Sequence, residues 1–192
     1  ASSAYPDVPR LDSEEAREAW KKVVRGIKDH GGAVIAQLWH CGGFRKLGMA
    51  PEPEVPGHTA SGLVRPGKKV AHEMTLQDIN ETIQAFASDA KFCEEIGFDG
   101  VEVHGAHGYL IDNFFWDGTN ERNDMYGGST EERSQLATQI VRAIRSEVSS
   151  NFIVGLRFSQ WKQQDYEAKL ASSPEELKKV LTPPAEAGLD YL

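Results

Sequence analysis

Cysteine is scarce: the 192 residues hold only Cys41 and Cys93. They stand far apart and make no metal-binding spacing. They read as free thiols of a reducing, cytoplasmic setting, and a disulfide framework is excluded. Long apolar runs are absent too, so no membrane span is expected. The opening residues, ASSAYPDVPR, lack a basic segment followed by an apolar core, and no secretory signal is expected there. Positive charge is in deficit, with 21 Lys and Arg against 29 Asp and Glu. The resulting net charge of −8 argues against a general affinity for nucleic acid or anionic membrane. Low-complexity tracts are missing. What remains is the composition of an ordinary globular domain, long enough for one sizeable core.

Helices and strands alternate along it. Residues 1–11 read as a loop around Pro6 and Pro9. Asp12 with Glu15 resembles a capping box for a helix whose apolar stripe is Ala16, Trp20, Val23, Val24 and Ile27, ended by Gly31 and Gly32. A buried-type strand is predicted at 33–39. Residues 40–74, with Pro51, Pro53, Pro56 and Pro66, form a loop of a length that is usually functional. Thr75 and Asp78 cap a second helix with the stripe Ile79, Ile83, Phe86, Ala90 and Cys93. A strand at 100–104 follows, then an irregular segment through Gly128. Ser129 and Glu132 cap a third helix carrying Leu136, Ile140, Ile144 and Val148. A strand at 152–158 precedes a polar stretch at 159–172. Ser173, Pro174 and Glu176 open a fourth helix, which Pro183 and Pro184 should end or kink near Leu181. Residues 189–192 read as the start of another strand.

Such alternation means a parallel sheet, either a small open one or part of a longer barrel. In barrels the chemistry sits at the carboxyl ends of the strands. Gln37 and Trp39 share one face of the first strand, Glu102 and His104 one face of the second, Gly155 and Arg157 one face of the third. Glutamine offers a donor and an acceptor to the edge of a heterocycle. Arginine offers a permanent cation. Two histidines such as His104 and His107 can put N–H donors on one oxygen that gains negative charge, and a tyrosine such as Tyr109 can deliver a proton. Each has a plainer reading. Gln37 suits a satisfied core amide, Arg157 an ion pair with Glu102, and Trp39 and Tyr109 packed aromatics. His104 and His107 suit a metal site, although no third ligand has convincing spacing, and none is assigned. His40 and Cys41 receive no role. Glu14, Glu15, Glu131 and Glu132 are helix-start charges.

Four stretches go further: AQLWH at 36–40, FDGVEVHGAHGYLIDNFF at 98–115, TNERNDMYGGSTEER at 119–133 and VGLRFS at 154–159. Together they resemble the Old Yellow Enzyme family of FMN-dependent oxidoreductases, over nearly the whole chain. The resemblance implies an α/β fold, the TIM (β/α)₈ barrel. Residues 1–192 would be a partial FMN-binding domain holding its third to fifth strands and the start of the sixth, with 40–74 as a long loop. By resemblance Gln37 and Arg157 bind the flavin, His104 and His107 grip a substrate carbonyl, Trp39 shapes the substrate pocket and Tyr109 is the proton donor. Asn120, Arg122, Asp124, Tyr126 and Gly127 order the loop after the fourth strand. The implied reaction moves hydride from NADH or NADPH through FMN to an α,β-unsaturated carbonyl compound, an enone or a relative of one.

In that family the first strands and the phosphate-binding strands would lie outside residues 1–192. Three readings follow for the chain: part of a flavin enzyme, a catalytically silent half-barrel that does not hold FMN by itself and self-associates as a homo-oligomer, or a metal-dependent barrel hydrolase using His104 and His107.

Overall fold

A computed structural model describes residues 2–5, 7–50 and 52–192. Pro6 and Pro51, two of the prolines that mark the predicted loops, lie outside the described residues. In chain order the elements are α1 (Glu14–Asp29), β1 (Ile35–Leu38), a 3₁₀ turn (Gly42–Phe44), β2 (His58–Thr59), β3 (Leu63–Arg65), β4 (Lys68–Lys69), β5 (His72–Glu73), α2 (Leu76–Glu95), β6 (Gly100–His107), α3 (Leu110–Phe115), α4 (Thr130–Arg133), α5 (Gln135–Glu147), β7 (Ile153–Lys162) and α6 (Pro174–Glu186).

The central sheet is parallel in the order β1-β6-β7. Tyr191 bridges in parallel to Gly155, which begins a fourth strand where residues 189–192 predict one. One face of this sheet is apolar. Leu38, Val101, Val103, Val154 and Leu156 join Ile79, Ile83, Phe86, Ala90 and Cys93 of α2 and Leu136, Ile140 and Ile144 of α5 in a single core. Each such buried Val, Leu, Ile or Phe side chain contributes about 1.5–3 kcal/mol. Register aligns the other face in rows: Gln37 with Glu102 and Gly155, then His104 with Arg157. Three parallel strands with helices packed on one face form an arc of an α/β barrel.

Local chemistry sets most element ends. Thr75 with Asp78 and Ser129 with Glu132 make the expected capping boxes. Gly97 ends α2 at a φ of 96°, the left-handed region that favours glycine. Four expectations need correction. The cap of α1 is Ser13, whose Oγ accepts the Ala16 N–H; Asp12 is engaged by Arg10. The helix behind Ser129 is interrupted at Ser134, whose Oγ donates to the Glu131 carbonyl, 2.7 Å away. Pro183 and Pro184 do not end α6, which runs to Glu186: only its last turn loses N–H bonds, and the Ala187 N–H still reaches the Pro183 carbonyl at 3.1 Å. The segment after His104 is not irregular throughout. β6 continues to His107, and α3 follows, buried at every residue, so that it shows no amphipathic period.

The described residues of 40–74 carry short strands. β2 pairs with β5, β3 forms a hairpin with β4, and buried Arg45 donates to the carbonyls of Ser3, Met49, Ala50, Glu52 and Val55. No helix among the described residues is long and apolar enough to cross a membrane.

Candidate active site

The end of β6 gathers the residues that the sequence singles out. His104 is buried on the uncovered face of the sheet. A bulge then lets His107 pair with Lys162 of β7. His107 and Gly108 are both left-handed, at φ 63° and 85°, which turns the chain sharply into α3. Among the described residues His107 is the only non-glycine with positive φ, a strained conformation of the kind that persists at functional sites. At Gly108 a Cβ would collide with the Gln164 side chain. Tyr109 opens α3. The His104 ring lies 5.6 Å from that of His107 and 5.3 Å from that of Tyr109, and Trp39 meets Tyr109 edge-on at 4.8 Å. Tyr5 stacks on Trp39 at 5.5 Å. Burial first, then the neighbouring Tyr109 hydroxyl, pushes the Tyr5 hydroxyl up to about 12.

The cluster is polar and unsatisfied. Nδ1 and Nε2 of His104, Nδ1 of His107 and Nε1 of Trp39 are buried with no hydrogen-bond partner among the described residues. A buried polar atom left unpaired costs about 1–3 kcal/mol, and nearly all such atoms in folded proteins are paired. Burial, aided by His107 and Arg157, lowers His104 to about 4. His107 is lowered as well, by burial and then by Arg157 and Lys162. Both imidazoles are therefore neutral at pH 7, each with one N–H to donate. His40 is also held neutral, at about 3, chiefly by burial, but its Nδ1 accepts the Gly42 N–H at 3.0 Å. That bond marks it as structural.

Gln37 and Arg157 stand on the same uncovered face and differ in their partners. Gln37 Nε2 donates to Glu102 Oε1 at 2.6 Å, and the Tyr191 hydroxyl donates to Glu102 Oε2 at 3.1 Å. Glu102 is thus engaged without Arg157, and the ion pair that the sequence allows between them does not form. Arg157 is exposed and has no hydrogen bond or ion pair among the described residues. A lone guanidinium and an amide whose oxygen stays unpaired, in adjacent rows, suit the carbonyl and N–H edge of a flavin ring. The residues present fit the FMN that the resemblance implies. Among the described residues no group of three or more His, Cys, Asp or Glu side chains is arranged to hold a metal, so the hydrolase reading finds no third ligand for His104 and His107.

Sequence reasoning missed the support beneath the histidines. Lys162 Nζ and Asp112 Oδ1 form a fully buried ion pair at 2.8 Å, and Asp112 Oδ2 accepts the Gly108 N–H at 2.6 Å. Burial raises Asp112 to about 6 against the pull of Lys162. Fifty residues separate the two, so no local spacing signals the pair. Trp161 stacks on His107 with ring centres 4.3 Å apart and planes 24° apart. Its place in a polar stretch, 159–172, hides it.

Residues 1–182 match the family described as NADH:flavin oxidoreductase / NADH oxidase. The chain is 36% identical over 186 residues to 12-oxophytodienoate reductase 2 of Arabidopsis thaliana, covering 92% of the chain and 49% of that protein. It is 37% identical over 181 residues to the putative 12-oxophytodienoate reductase-like protein 1 of the same plant, covering 91% and 54%. With the flavin oxidoreductase hxnT of Emericella nidulans it shares 36% identity over 171 residues, covering 83% and 43%. The chain spans about half the length of these curated relatives.

Proposed function

The chain belongs to the NADH:flavin oxidoreductase / NADH oxidase family, FMN-binding TIM barrels with NADH or NADPH as reductant, and we propose that the whole protein reduces the C=C bond of α,β-unsaturated carbonyl compounds. The observation that carries this reading is the pair of neutral histidines, His104 buried and His107 half-buried, with buried, unpaired nitrogens beside Tyr109. FMN, when bound, supplies hydride transfer from the nicotinamide to the substrate's β-carbon.

The chain's own residues do the rest. His104 and His107 donate N–H bonds to the carbonyl oxygen, which gains negative charge as hydride arrives; one such donor is worth about 10²–10³ in kcat. Because both rings resist protonation, they act as donors and keep their protons. Tyr109 supplies the proton to the α-carbon, so that hydride and proton together saturate the bond. Trp39 walls the pocket against Tyr109. Arg157 favours an electron-rich ring beside it, and Gln37 orients that ring's edge. The 12-oxo group in the relatives' names is a carbonyl of the kind His104 and His107 would grip. The free, buried Cys41 and Cys93 fit a reducing, cytoplasmic setting, their thiols pushed up to about 11 and 12 chiefly by burial.

The test is oxidation of NADH or NADPH by the FMN-loaded full-length protein, with and without a cyclic enone. Enone-dependent oxidation with formation of the saturated ketone is expected. Oxidation that ignores the enone would overturn the reading. A visible spectrum of residues 1–192 after mixing with FMN and removing the excess separates the second reading: a colourless, folded chain is the silent half-barrel.

A further inference from the structure

The end of β7 wraps the turn that carries His107. The His107 N–H donates to Ser159 Oγ at 2.9 Å, and that hydroxyl donates to the Trp161 carbonyl at 2.9 Å. The Gln163 N–H donates to the His107 carbonyl at 3.2 Å, and Gln164 Nε2 to the Gly108 carbonyl at 3.0 Å. Below, the Lys162–Asp112 pair holds the Gly108 N–H. These bonds fix the backbone of His107 in its left-handed conformation and leave its ring to be set by packing. Trp161 does that: its indole lies nearly parallel to the imidazole, and Tyr166 backs it at 5.5 Å with planes 24° apart.

We propose that Trp161 is a positioning residue, whose indole holds the His107 imidazole beside His104 with Nδ1 free to donate to the substrate oxygen. The proposal rests on the reading of His107 as a carbonyl donor. Trp161 acts through His107. A donor turned out of line loses most of its value, since a misplacement of about 1 Å at a reacting centre costs up to about 100-fold in rate. Three other groups act on His107: His104 from β6 and Arg157 and Lys162 from β7. Asp112 of α3 acts on the same turn by pairing with Lys162 and by accepting the Gly108 N–H.

The test compares Trp161→Leu, which keeps apolar bulk without a ring face, with Trp161→Phe, which keeps one. Histidine side-chain NMR on the full chain reads the ring directly, with His107→Asn identifying its signals. The wild-type ring should titrate below 6.5. Trp161→Leu should raise the midpoint toward 6.5, and Trp161→Phe should preserve it. In the FMN-loaded full-length protein, Trp161→Leu should lower kcat for an enone by about tenfold with little change in KM, and Trp161→Phe should restore most of it. A folded Trp161→Leu chain with an unmoved titration, or a Phe variant no better than Leu, overturns the proposal. If His107→Leu, which removes the donor, reduces enones normally, the donor reading fails and the proposal falls with it. If His107→Leu is impaired and Trp161→Leu is not, the proposal falls alone.

Discussion

Asn120 and His104 are exposed to almost the same small extent, 6% and 7%, but their polar atoms meet different fates. Asn120 Nδ2 donates to the Phe114 and Tyr126 carbonyls, both at 2.7 Å, and its Oδ1 accepts the Arg122 N–H at 3.2 Å. Around it Arg122 grips Asp124 through two nitrogens and donates to the Ala60 and Met74 carbonyls. Arg133 donates to the Phe115 and Gly128 carbonyls. Neither ring nitrogen of His104 has a partner. The loop network is complete within the fold, so its polar groups are structural. The His104 nitrogens find no partner among the described residues, which is what the proposed grip on a carbonyl oxygen requires. Burial alone does not separate the two; hydrogen-bond satisfaction does.

That contrast breaks most visibly at Arg122. Arg122→Ala leaves Asp124 and two carbonyls without their donor and should cost about 3–5 kcal/mol of stability. Urea unfolding of the chain measures it, and a loss within error of zero would remove the network from the structural side.

His104→Leu should behave in the opposite way. Exchanging unpaired nitrogens for apolar atoms should leave the urea midpoint at pH 7 unchanged or raised, while kcat of the FMN-loaded full-length protein falls about 10²–10³-fold. The same variant sharpens the pH dependence. Below 6.5 the unfolded chain takes up a proton that folded His104, at about 4, refuses. Stability is therefore lost as pH falls from 6.5 toward 4, by roughly 3 kcal/mol. In His104→Leu this share should vanish and leave the parts owed to His40, held down to about 3, and to His58 and His107, both also lowered by burial. A wild-type slope in the variant would show that His104 is not the group responsible.

The smallest effect is expected at the rim of the network. The Tyr126 hydroxyl donates to Gln139 Oε1 at 2.8 Å in a half-buried setting. Tyr126→Phe should cost about 1 kcal/mol and leave enone reduction intact, which thermal unfolding and the nicotinamide assay check together.

Much of this molecule was legible along the chain. The caps at Thr75, Ser129 and Ser173 were readable because a side chain reaches a backbone N–H only a few residues away. The shared faces of Gln37 with Trp39 and of Glu102 with His104 follow from the two-residue period of a strand. His104, His107 and Tyr109 lie within six residues, so their meeting needed only one turn. Local rules failed where a neighbour from elsewhere decided the outcome. Ser13 displaced Asp12 as a cap because Arg10 engages Asp12. Buried on all sides, α3 carries no period to read. Arg157 stays free because Gln37 and Tyr191 reach Glu102 first.

By itself the sequence determined the order of the helices and strands of the central sheet, the facing of polar residues and the family, since these depend on periodicity, caps and contiguous motifs. Only the tertiary structure decided which polar groups are satisfied. The Lys162–Asp112 pair, the Trp161–His107 stack and the bare nitrogens of His104 each join or isolate groups set by different strands and helices. A hydrogen bond depends on distances of about 3 Å, and the chain reaches such distances across the sheet only once it has folded.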